Sequence, residues 1–153
     1  MGNRAAMVIG LAAMLVLSAQ SLRSVAAEDG RELVQLPPMM QEHMLQNMRD
    51  HLVALDDMLA ALADGNIEEA AKVAEGRLGM SSLSLHGAEH MAPFMPKTMA
   101  EIGTQMHHAA SQFVIVAQNA ELEPGLDAQH KVYKALQAIT ENCNACHQAY
   151  RIR

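Results

Sequence analysis

The sequence predicts an all-α fold on two observations. Apolar residues recur at spacings of three and four through four segments, and no segment alternates apolar and polar residues over a useful length. Segments of about 20 residues joined by short turns favour an antiparallel four-helix bundle, in which cofactor sites form from side chains on facing helices.

The first helix is expected between Pro38 and Asp64, where Met44, Met48, Leu52, Leu55, Leu59 and Leu62 form a stripe. Asp64-Gly65-Asn66 should end it: Gly65 can take the left-handed conformation that closes a helix, and Asn66 can cap the next one with Glu69 three residues on. The second helix is expected from Ile67 to about His86, with Ala70, Val73, Ala74 and Leu78 inward and Gly76 and Gly79 weakening it. After a loop holding Pro93 and Pro96, Met99, Ile102, Met106, Ala109, Phe113 and Val116 define a third stripe. Pro124-Gly125 breaks the chain before the fourth, where Val132, Leu136, Ile139, Cys143, Cys146 and Tyr150 recur. That stripe puts both thiols on the apolar face.

The start of the chain reads as an export signal. Arg4 is the basic start, residues 5–17 the apolar stretch, and Val25-Ala26-Ala27 a small-residue cleavage site. The expected mature chain therefore begins at Glu28, in the periplasm. The apolar stretch is short for a bilayer, which needs about 20 residues, and no second stretch of spanning length follows. Removing 27 of the 153 residues leaves 126, one domain with a real core. Taking two leader arginines from the 11 Lys and Arg leaves 9 against 17 Asp and Glu, a net charge of −8. Such a charge disfavours nucleic acid or anionic lipid as a partner.

The most specific motif is Cys143-Asn144-Ala145-Cys146-His147, close to the C-terminus. Cys-x-x-Cys-His is the attachment signature of a c-type haem: two thiols form thioethers with the haem vinyl groups, and the adjacent imidazole becomes the proximal iron ligand. Cys143 and Cys146 are the only cysteines, so no second pair completes a structural zinc site, and the βαβ setting of a thioredoxin-like pair is absent. The expected cofactor is one covalently attached haem c on the C-terminal helix, pointing into the space between helices. A disulfide loop and a metal site are the competing readings of the same cysteines.

An exported helical chain with this motif at its extreme end resembles the class II c-type cytochromes, the cytochrome c prime family and its low-spin relatives. The sharpest local likeness is Cys143-Asn144-Ala145-Cys146-His147-Gln148-Ala149-Tyr150-Arg151. The resemblance implies that Arg151, four positions after the ligand histidine, packs near the haem. It also implies that the first helix covers the other haem face, near Met48 with Met44 one turn earlier. Family members with a Met there are six-coordinate and low-spin; those with Leu or Phe leave the iron five-coordinate. Met48, Met44 and an open iron are thus the alternatives, with His51 a competing strong-field ligand. A homodimer through the first two helices is a further implication.

One-electron transfer between periplasmic redox proteins is the expected function. A five-coordinate haem that binds nitric oxide or carbon monoxide is the first alternative. The second belongs to another class: a copper-binding helical protein using Met80, His86, His90, Met91, Met95 and Met99, since thioether and imidazole suit copper. No nucleophile motif, phosphate loop or telling carboxylate pair points to an enzyme.

Overall fold

A computed structural model describes residues 29–153; the expected signal segment lies outside them. The described chain is mainly helical, as expected, and Arg31–Arg153 forms one unit. Helix α1 spans Pro38–Ala63. Pro37 and Pro38 start it, because proline presets the helical φ and its missing N–H is one of those left unpaired at a helix start. It closes as expected. Gly65 takes φ 75°, its N–H donates to the Leu62 carbonyl at 3.1 Å, and the Asn66 N–H donates to the Ala61 carbonyl at 2.8 Å. Asn66 Oδ1 then accepts from the Glu69 N–H at 3.1 Å and caps helix α2, Ile67–Val73.

The second helix departs from its expected length. After Val73 the chain widens into a π-helical turn, Ala74–Leu78, and stops at Gly79, whose N–H donates to the Ala74 carbonyl at 2.7 Å. Residues 80–87 then run through a 3₁₀ turn and bends to Gly87 at φ 61°. Gly76 and Gly79 lack the propensity to hold a regular helix to His86, and the break turns His86 toward α1. Helix α3, Ala88–Met91, and a 3₁₀ turn at Ala92–Phe94 lead to helix α4, Lys97–Leu122, which starts directly after Pro96. Helix α5 is Leu126–Ala149.

Two strands were not expected. Strand β1, Glu32–Val34, pairs in parallel with strand β2, Tyr150–Ile152, with Leu33 opposite Arg151. Three-residue strands leave no periodicity to read, and this pair forms only once the helices between have brought the two ends together. Its effect is local and useful: the residues after His147 are tied down.

The core has two parts. Ala54, Met58, Ala70, Ala74, Leu78, Phe113 and Ile139 anchor one, where α1, α2, α4 and α5 meet. Val34, Leu36, Met44, Met91, Met99 and Tyr150 form the other, beside the β1–β2 pair. The inner stripes of α4 and α5 match expectation, with Met99, Met106, Phe113, Val132, Leu136 and Ile139 buried. That of α1 matches in part: Met44 is buried and Met48, Leu55 and Leu62 pack against the core, but Asn47, His51, Ala54 and Met58 are buried beside them, while Leu52 is 67% and Leu59 51% exposed. Among the described residues, no helix is long and apolar enough to cross a membrane.

Candidate cofactor-binding site

Between the two core parts lies a cavity of about 350 Å³, within the size range of small-molecule sites. Helix α5 lines one side with Cys143, Cys146 and His147. Helix α1 contributes Met44, Met48 and His51, and α4 contributes Ile102, Met106 and His107. His86, Met91 and Met95 come from the segment between α2 and α4. The i, i+3 spacing within α5 explains why both thiols reach one space: Cys143 packs on the Ala-rich core around Phe113, Cys146 on the Met-rich one. Burial pushes both thiols above the ordinary cysteine range, so they stay protonated.

The segment carrying His86 is held by its backbone. The His86 carbonyl accepts from Asn47 Nδ2 at 2.9 Å and lies 2.8 Å from His43 Nε2. The buried Asn47 side chain thereby fixes the irregular chain against α1. His107 Nδ1 lies 2.7 Å from the Leu78 carbonyl, on the π-helical turn. His51, 8% exposed, has its Nε2 buried without a hydrogen-bond partner.

Burial is the first cause of lowered proton affinity at all three rings. His51 falls from 6.5 to about 3, through burial and then the charge of His86 and His107. His86 falls through burial and His107; His107 falls through burial, partly opposed by its backbone contacts to Leu78 and Gly79. The cavity's inner histidines are therefore neutral imidazoles near neutral pH, with nitrogen lone pairs to offer.

The residues present fit a haem. Both thiols and His147 border one largely apolar cavity, with Met48, Met44 and His51 also lining it. Arg151 does not line the cavity; it lies half-buried in β2, opposite Leu33. The six-residue Met/His group expected to suit copper is split. His86, Met91 and Met95 line the cavity, Met99 packs in the second core, and His90 is exposed. What the sequence did not reveal is the meeting of His51, His86 and His107. One signal was available: His51 continues the three-and-four spacing of Met44, Asn47, Ala54 and Met58.

Comparison with known proteins brings no match to this chain from protein-family models, curated proteins or solved structures.

Proposed function

We propose that this chain is a periplasmic c-type haem protein that carries one electron between redox protein partners, built as a four-helix bundle on α1, α2, α4 and α5. The observation that carries the reading is the convergence of the only two cysteines and the adjacent His147 on one apolar cavity lined by methionines of α1. Cys143 and Cys146 would hold the haem as thioethers, and His147 would be the proximal ligand. When bound, the haem supplies an iron that alternates between ferric and ferrous states. The chain's own part is to place a thioether on the distal side, Met48 first and Met44 second, and to keep water out with Met91, Met95, Ile102 and Met106. Thioether ligation favours the ferrous state, and a dry, packed surround limits reorganisation when the charge changes. The reading includes export by residues 1–27, no catalytic role, and a homodimer through the first two helices, where Leu45 and Leu59 of α1 stand exposed.

The visible spectrum of the purified protein, oxidised and dithionite-reduced, with and without carbon monoxide, tests the function. A sharp low-spin reduced spectrum that ignores carbon monoxide is expected. A high-spin spectrum that shifts with carbon monoxide would replace electron transfer by gas binding, and a low-spin spectrum unchanged in Met48→Ala would remove Met48 as the ligand.

A further inference from the structure

The haem reading leaves three buried or half-buried histidines of the cavity unused. His51 comes from α1, His86 from the segment that ends at Gly87, and His107 from α4. Their ring centroids are 4.6 Å (His51–His86), 5.8 Å (His51–His107) and 5.3 Å (His86–His107) apart. One ligating nitrogen of each lies within 4.8 Å of the other two.

The hydrogen bonds point the lone pairs inward. A carbonyl only accepts, so His107 Nδ1, 2.7 Å from the Leu78 oxygen, carries the proton and Nε2 keeps its lone pair. Ser82 Oγ donates to the Gly79 carbonyl at 2.7 Å, which leaves it as an acceptor toward His86 Nδ1 at 3.5 Å and favours the same tautomer there. His51 Nε2 is buried with no partner, a state that costs free energy unless something fills it. Backbone and hydroxyl contacts of this kind are how proteins orient metal-binding imidazoles.

We propose that His51, His86 and His107 hold one copper ion, as Cu(I), in the cavity that also receives the Cys-x-x-Cys-His motif. Three imidazoles with no carboxylate among them exclude the hard, oxygen-seeking cations. Among divalent ions copper binds nitrogen donors most tightly, and the thioethers of Met91, Met95 and Met106 give the cavity the soft surroundings that suit Cu(I). A monovalent ion also leaves less uncompensated charge in an apolar site than Zn(II) would. Metal–imidazole bonds of about 2 Å place three ligand nitrogens about 3.5 Å apart, so loading draws the triad in by about 1 Å. His86, half-buried in an irregular segment, is the ligand able to make that movement.

The test uses the full exported, haem-bearing protein, titrated anaerobically with Cu(I) against the chelator bicinchoninate, with copper and haem counted in the same sample. One copper per chain is expected. His51→Ala, His86→Ala and His107→Ala should each weaken binding by about 100-fold or more, while the exposed His130→Ala should not change it. Absence of stoichiometric copper, full retention in a helical triple-alanine variant, or zinc retained instead from a mixture of the two metals would overturn the proposal. Should the variants not fold, copper-edge X-ray absorption of the unaltered protein decides: imidazole scattering supports the site, and a shell of sulfur alone overturns it. Copper uptake by a chain without haem would support the triad while ending the haem reading; haem without copper would end only this proposal.

Discussion

The two core parts are made of different material. Around Phe113 the helices meet through Ala54, Ala70, Ala74, Ala110 and Ala117, with Leu78 and Ile139 filling the remaining space. Small side chains let backbones approach, and the large ones between them have nowhere to move. Around Tyr150 half of the buried residues are methionine, Met44, Met91 and Met99, with Met40, Met48 and Met95 at the edge. Methionine is flexible and polarisable, and it fits irregular space without defining it. The contrast teaches a division of labour along α5. Cys143 leans on the rigid part and Cys146 on the adaptable part, so a group attached to both would be anchored by one and accommodated by the other.

The largest expected effect breaks the rigid part. Phe113 is fully buried, and Phe113→Ala should cost about 3–5 kcal/mol in urea unfolding; a loss under about 1 kcal/mol would erase the distinction between the two parts. Next comes acid, acting on the cavity. In the absence of bound metal, the folded chain holds His51, His86 and His107 below their ordinary proton affinity, and His51 from 6.5 to about 3. The unfolded chain then binds more protons between those values, so the stabilising contribution is complete above about pH 6.5 and is lost progressively as pH falls toward 3. A denaturant series against pH should show this decline, shallower in His51→Phe; equal slopes would mean the ring is not held neutral. Asn66→Ala removes the α2 cap and should cost about 1 kcal/mol in urea unfolding, at the scaffold end. Of the same small order is Met91→Leu, expected under about 1.5 kcal/mol because the Met-rich part repacks; a loss as large as that of Phe113→Ala would show that part to be equally rigid.

Much of this chain was legible in advance. Pro37-Pro38, Gly65-Asn66, Pro96 and Pro124-Gly125 mark helix ends through local chemistry, and the inner faces of α4 and α5 follow from apolar spacing alone. The face of α1 was legible only in part: Met44, Met48, Leu55 and Leu62 pack inward as apolar spacing implies, but Asn47 and His51 are buried too, and polar residues on an inner stripe are not found by apolar spacing. The break at Gly79 depends on a π-helical turn that periodicity does not encode. The Cys-x-x-Cys-His motif is contiguous and could be read; the histidine triad joins three separate segments and becomes visible only when that break brings His86 beneath α1.

Covalent haem attachment is tested by the intact mass and pyridine haemochrome of the protein exported from a host able to mature c-type haem. One haem per chain, resistant to denaturation, is expected, and its loss in Cys143→Ser with Cys146→Ser. An unmodified mass with two titratable thiols on the exported chain would contradict it.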